Sequence, residues 1–493
     1  MHRLLSCTFF VCLFSLLAPT MVLPQGSVGA PARQGTDSLL KTQSDVQPGY
    51  RFERGGWTYV HLEGTPSQIG FQHGSLLSAE IADMVHVVQI ESQHETKRNW
   101  KFFRESGRKM LWPRIDPEYQ QELEGIASGV QSKGVKLDVW DIVALNGSIE
   151  LPQYYVPWLN KQEAAKHQHA TLVPDIKPEG RCSAFIATGS YTKGGKIVIA
   201  HNNWTSYAEG ARWTVIFDIQ PARGHHILMD GMPGVITSQD DFGVSDAGLL
   251  ITETTITQFE GWDPDGKPEF VRSRKALQYA GSIDEYVGII KEGNNGGYAN
   301  DWLIGDRKTG EIAYLELGLK NTPLWRSKDG YFVSSNYARD PKLIKTETSG
   351  FDFNNLASSP NARRVTWERK MAESKGRIDI ELAEKFMADH EDSFTGKNEA
   401  DERSLCGHVD KDKRGIPEFD WAPYYPAGSV TGKVADSDLA ANLSLIAHAG
   451  HPCGEDFFAA PFLAAHPEYD YLKPILIDMK SGPWTAFAAG ETK

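Results

Sequence analysis

Hydrophobic positions follow two different rhythms along this chain, and the change falls near residue 180. Between Pro66 and Glu91, the residues Ile69, Leu76, Leu77, Ile81, Met84 and Val85 recur at three- to four-residue spacing, which lines one face of a helix. The same reasoning predicts helices over 117–132 and 137–145, so the N-terminal third reads as mainly helical. After Cys182 the apolar residues come in short runs rich in β-branched and aromatic side chains: 183–187, 197–200, 213–219, 227–229, 249–255, 302–304, 312–317 and 331–334. Runs of this kind, separated by Gly and Asp clusters, predict strands. Lys193-Gly194-Gly195-Lys196 supplies a hairpin turn between the first two. Ser282 and Glu285 stand at capping-box spacing and predict a helix start, and further helices are expected over 362–375 and 380–388. Strands interrupted by helices in this order predict an α+β layered domain rather than a parallel βαβ fold.

A polar stretch with Pro174, Lys177, Pro178, Glu179 and Gly180, ending at Arg181, separates the two regimes and marks the clearest boundary in the chain. At the other end, Met1-His2-Arg3 leads into an apolar run from Leu4 to Leu17, then prolines and small residues. That order predicts a secretory signal peptide over 1–30, and the run is short for a membrane anchor. The expected organisation is therefore signal peptide 1–30, a helical N-terminal pro-region 31–181, and a catalytic region 182–493.

Composition narrows the function. With 40% hydrophobic and 23% charged residues the chain is of globular type, and its formal charge of −13 argues against a nucleic-acid partner, which needs a basic face. Five cysteines are present, of which Cys7 and Cys12 lie in the predicted signal peptide. In an oxidising compartment two of the remaining three can pair, and a Cys406–Cys453 disulfide is expected, leaving Cys182 odd.

An unpaired thiol at a strand start, directly after a polar boundary, suits a nucleophile. A thiol needs a base near neutral pH, and a cysteine that becomes the first residue of a chain carries one in its own α-amino group. Reaching that state requires the Arg181–Cys182 bond to break. The next strand ends in Ala200-His201-Asn202-Asn203-Trp204-Thr205, a polar and aromatic series that places a site. His201 is expected to tune the thiol or amine, Asn202 to bind the new amine and Trp204 to wall the pocket. Asn146-Gly147-Ser148, Asn203-Trp204-Thr205 and Asn442-Leu443-Ser444 match the glycosylation sequon, and the one at Asn203 is discounted because it falls in the expected site. Asn300 is the expected oxyanion donor, and Thr254 a weaker pocket donor. The close pairs His167 and His169, His225 and His226, and His448 and His451 lack the HExxH form or a nearby CxxC, so neither a metal nor a cofactor is expected.

These motifs, Cys182-Ser183-Ala184, Ala200 to Trp204, Thr252 to Thr255 and Asn300-Asp301-Trp302, resemble those of the phospholipase B-like proteins, which are N-terminal-nucleophile hydrolases. Gly64-Thr65-Pro66, Ile69 to Gly74, Gly125 to Gly129, Trp140 to Asn146, Ser404 to His408 and Gly450 to Gly454 resemble the related isopenicillin N acyltransferase family. The resemblance implies a four-layer αββα sandwich with antiparallel sheets, autoproteolysis before Cys182, and hydrolysis of an acyl ester or amide through a Cys182 thioester. It assigns His201 and Trp204 to the pocket and Asn300 to the oxyanion. Related acyltransferases and bile-salt hydrolases carry Arg and Asp in place of His201 and Trp204, and Asn in place of Ser245. The expected substrate is a small-molecule or lipid acyl compound, and the cleaved chains are expected to stay associated. An amidase or acyltransferase, or a non-catalytic lipid-binding protein on the same fold, are the alternatives.

Overall fold

The computed structural model describes residues 49–166 and 182–492. The predicted signal peptide, His167, His169, the polar stretch and Arg181 lie outside the described residues. The strands are β1 (Tyr50–Arg54), β2 (Trp57–Gly64), β3 (Ser183–Gly189), β4 (Gly195–Ser206), β5 (Val215–Pro221), β6 (Ile227–Gly231), β7 (Gly243–Ser245), β8 (Leu249–Thr255), β9 (Asn300–Asp306), β10 (Glu311–Leu317), β11 (Leu324–Ser327) and β12 (Gly330–Ser334). They continue with β13 (Glu391–Asp392), β14 (Lys397–Asn398), β15 (Ala427–Asp436), β16 (Ser444–Ala449) and β17 (Thr485–Ala488). One sheet of nine strands runs β1-β2-β5-β6-β7-β8-β9-β10-β11, and one of six runs β12-β3-β4-β15-β16-β17.

Side-chain alternation shows how the sheets stack. On β4, Ile197 and Ile199 pack with Leu228, Leu250 and Leu303 of the other sheet, while Val198 and Ala200 pack with Trp367, Met371 and Phe386 from helices outside. The nine-stranded sheet presents Leu249, Ile251 and Trp302 to an outer layer built on helices of the N-terminal third. The order is helices, sheet, sheet, helices, which is the expected four-layer αββα sandwich. No helix among the described residues is long and apolar enough to cross a membrane.

Every predicted strand is present, and the predicted helix over 117–132 spans Pro117–Ser132. The helix expected over 66–91 is two, Pro66–Leu76 and Ser78–Thr96, broken at Leu77, whose φ of −118° and ψ of 25° leave the helical region. Among the strands not expected are β1 and β2. Gly55 and Gly56, with φ of 60° and 88°, close a two-residue hairpin between β1 and β2, where only positive φ at both positions follows the strand twist. β2 then lies parallel to β5, the exception to the expected antiparallel pairing, and threads the N-terminal segment into the large sheet.

Helices Pro66–Leu76 and Pro117–Ser132 meet through glycines on both sides. A Cβ on Gly70 would lie 2.0 Å from the Glu122 carbonyl oxygen, on Gly74 2.0 Å from that of Ile126, and on Gly129 2.3 Å from that of Phe71. The backbones touch, so any side chain there must drive the helices apart. Gly74→Ala is expected to destabilise the protein by about 1–3 kcal/mol, the usual range for overpacking, read as a lowered denaturation midpoint.

Candidate active site

Cys182 precedes β3, fully buried, with φ of 102°, a left-handed value that strains a residue bearing a Cβ. Pairing of β3 with β4 sets Ser183 opposite Asn202 and Ala184 opposite His201. The isoleucine alternation on β4 therefore points His201 and Asn203 into the space between the sheets, and Asn202 and Trp204 to the outer helical side. Asn203 is the residue that reaches Cys182: its Oδ1 lies 4.0 Å from Cys182 Sγ, and its buried Nδ2 has no hydrogen-bond partner. Burial, then the charges of Glu253 and Asp240, raise the thiol pKa well above its ordinary value, against the opposing pull of the Trp204 backbone N–H and Lys433. In the uncut chain the thiol is neutral.

Around it lies a buried ionic network. Lys433, opposite His201 on β15, binds Asp230 Oδ2 at 3.0 Å, Asp240 Oδ2 and Thr431 Oγ1. Burial works against the Lys433 charge, but Asp230 and Asp240 outweigh it and raise its pKa. Ser238 Oγ lies 3.0 Å from Asp230 Oδ1 and 2.5 Å from Asp240 Oδ1. A hydroxyl has one proton to give, so a proton on one of the two carboxyls lets all three groups pair. Burial and the neighbouring Asp240 charge raise Asp230, whereas Lys433 overcomes burial to lower Asp240, so Asp230 holds the proton. His201 Nδ1 lies 3.8 Å from Asp240 Oδ2. Burial, then Lys433, push its pKa down to about 3, so the ring is neutral, and neither nitrogen has a hydrogen-bond partner.

On the other side of Cys182, Arg363 donates to the Cys182 carbonyl oxygen at 2.7 Å and to Ser183 Oγ at 3.1 Å. It also donates to Asn336 Oδ1 at 2.9 Å and lies 4.2 Å over the Trp204 ring. Burial lowers its pKa to about 9, which leaves it cationic at neutral pH. Arg363 thus fixes the backbone at Cys182 and Ser183 and ties it to the Trp204 ring.

The structure corrects several expectations. Asn202 faces away from the thiol and donates to the carbonyl oxygens of Met387 (2.8 Å) and Leu405 (2.9 Å), anchoring the outer loops. Asn300 falls on the outer face of β9, and its amide donates to Glu253 Oε2 at 2.8 Å and to the Ala299 carbonyl oxygen at 3.0 Å. That carboxyl is raised well above its usual range by burial and then by Asp241, which rises to about 6, chiefly through burial. Thr254 points between the sheets and shares a 2.5 Å hydrogen bond with Ser334 Oγ, which donates to Asp301 Oδ2 at 2.9 Å. Ser245 ends β7 with its buried hydroxyl unpartnered. The expected disulfide is not formed: Cys406 and Cys453 are free thiols, and each sulfur lies 3.6 Å from His408 Nε2.

Residues 75–315 match the family model described as Phospholipase B. An uncharacterized protein of Archaeoglobus fulgidus is 23% identical over 314 residues, which cover 60% of this chain and 48% of that one. A phospholipase B-like 3 protein of Caenorhabditis elegans is 31% identical over 227 residues, covering 40% and 37%. Among solved structures, a mutant conjugated bile acid hydrolase of Clostridium perfringens gives a TM-score of 0.32 at 12% identity, covering 54% of this chain and 88% of that one. The matches to these two relatives span less than half of the relatives' own length. Residues 75–315, which hold Cys182, the strand-end residues of β4, Thr254 and Asn300, are thus similar to the Phospholipase B family.

Proposed function

We propose that the chain is an exported, autoprocessing cysteine hydrolase of the N-terminal-nucleophile kind, which cleaves an acyl ester or linear amide, lipid-type by preference, through a thioester on Cys182. One observation carries the reading: the thiol sits at the head of a strand, on strained backbone, beside an unpartnered amide and a buried ionic network. In processing, Cys182 sulfur adds to the Arg181 carbonyl carbon. The peptide nitrogen takes up the thiol proton and leaves as the new amine. Water then hydrolyses the thioester, releasing the Arg181 carboxylate and restoring the thiol. His201, neutral and unpartnered, is suited to relay the thiol proton, and the Asn203 amide to stabilise the oxyanion. Opening the chain gives Cys182 its own amine as base for later turnovers.

The fragment 31–181 stays bound in this reading, because β2 pairs with β5 across the cut. Intact mass and N-terminal sequencing of the exported protein test it: the expected product has 493 − 181 = 312 residues and begins Cys-Ser-Ala. Phospholipid and acyl-amide substrates are then offered with and without an added amine acceptor. Free fatty acid as the main product supports a hydrolase. Transfer to the amine in its place indicates an acyltransferase, and binding without turnover a lipid-binding protein.

A further inference from the structure

Three separate segments converge on the outer side of the six-stranded sheet: the turn after the helix Ile380–Met387, the loop before β15, and the loop after β16. They bring His390, Cys406, His408 and Cys453 together so that one donor atom of each lies within 4.8 Å of the other three. Cys406 and His408 are fully buried, and Nε2 of His390 has no hydrogen-bond partner. We propose that these four residues form a structural site for a tetrahedral divalent cation of the zinc type, which corrects the expectation that the chain binds no metal.

Donor geometry supports this over the disulfide. A tetrahedral zinc ion with Zn–S of about 2.3 Å and Zn–N of about 2.05 Å sets sulfur and nitrogen about 3.6 Å apart. Both cysteine sulfurs lie 3.6 Å from His408 Nε2. An imidazole nitrogen equidistant from two sulfurs, with a second imidazole alongside, is the arrangement of a Cys2His2 set, whereas a disulfide has no use for either ring. Two thiolates and two neutral imidazoles also balance the charge of a divalent ion, so the buried centre carries no net charge.

The site has something to hold. Between Ala388 and Pro426 the chain forms no strand beyond the two-residue β13 and β14, so few backbone ladders fix it. Leu405, next to the first cysteine, accepts from Asn202 Nδ2 at 2.9 Å and from Trp204 Nε1 at 3.3 Å. Gly407, between two ligands, lies so close to Trp204 that a Cβ would fall 2.0 Å from the indole ring. Its carbonyl accepts from Ser429 N at 2.9 Å on β15. The cation would thus clamp the 405–408 loop against the backs of β4 and β15, whose inner faces carry His201, Asn203 and Lys433. Its role is positioning rather than catalysis, and it stands whether or not Cys182 turns over.

The test uses the full-length exported protein, purified without chelator and assayed for bound metal and free thiols. Expected are one equivalent of zinc per chain, three alkylatable thiols after denaturation without reductant, and a fall in melting temperature on stripping with a strong chelator. Refilling the stripped protein with cobalt(II) alone should restore the melting temperature and give the intense absorption of tetrahedral cobalt bound by thiolates. His390→Ala, which keeps both thiols, should lower metal retention, and Cys453→Ser should abolish the thiolate-to-cobalt band. A Cys406–Cys453 disulfide in peptide mass spectrometry with no bound metal would overturn the proposal, as would metal content unchanged in both variants. The cobalt spectrum of the parent chain keeps the test decisive if a variant fails to fold.

Discussion

Cys182→Ala is expected to leave the exported chain uncut and to lower turnover of any acyl substrate by at least about 10³-fold, the scale seen when a nucleophile is removed and only binding and oxyanion contacts remain. The two neighbouring asparagines separate the chemistry from its scaffold. Asn203→Ala removes the amide nearest the sulfur and should slow processing and turnover with little change in melting temperature. Asn202→Ala leaves the Leu405 and Met387 carbonyls without their donor on the far side of the sheet and should act mainly on stability. A time course of self-cleavage by mass spectrometry, run beside thermal denaturation, distinguishes them. Equal slowing by both substitutions, or full activity in Asn203→Ala, would remove Asn203 from the mechanism.

Lys433→Met should have the largest effect on stability. The ammonium is completely buried and holds Asp240 ionised between the sheets. Removing one partner of a buried ion pair leaves the other charge uncompensated, which typically costs about 3–5 kcal/mol. Asp240 would regain a proton, the charge balance around Cys182 and His201 would change, and processing should slow as well. The triple substitution Lys433→Met, Asp240→Asn, Asp230→Asn should recover much of the stability but not the activity, as measured by urea denaturation and self-cleavage. The sign of the pH dependence follows from the shifts. Asp240 is depressed, so its contribution is present above the ordinary carboxylate range and is lost as the pH falls through its folded value. Lys433 is raised, so its contribution is lost only at strongly alkaline pH.

What could be read from the residues and what could not divide along physical lines. The helix Pro117–Ser132 shows itself because a proline opens it and its apolar residues keep helical spacing. The strands after Cys182 show themselves as β-branched runs. The helix Glu269–Tyr279 was missed because its buried face carries Arg272, Ser273 and Arg274, polar side chains whose partners, the Ile290 carbonyl, Asp241 and Glu122, reach them only in the folded protein. β1 and β2 were missed although Gly55-Gly56 is a hairpin signal, because the helical pattern after Pro66 dominated that region. In the site, Cys182 and His201 were legible from the boundary and the strand end. Asn203 stands in the same strand end without an assigned role, and its full burial leaves no room for a glycan on the sequon discounted there. Lys433 and Arg363 were invisible, since the carboxylates and the Cys182 carbonyl they meet lie far away in sequence, and counting cysteines could not reveal two histidines beside the sulfurs of Cys406 and Cys453.

The parallel pairing of β2 with β5 has a consequence for the lifetime of the protein. While the chain is continuous, the two strands meet within one molecule. Once the bond before Cys182 is cut, the N-terminal segment is held by its contacts alone, and its return after release would depend on concentration. At high dilution a processed protein would not recover the segment once lost, and its persistence would be set by the rate at which β2 leaves the sheet.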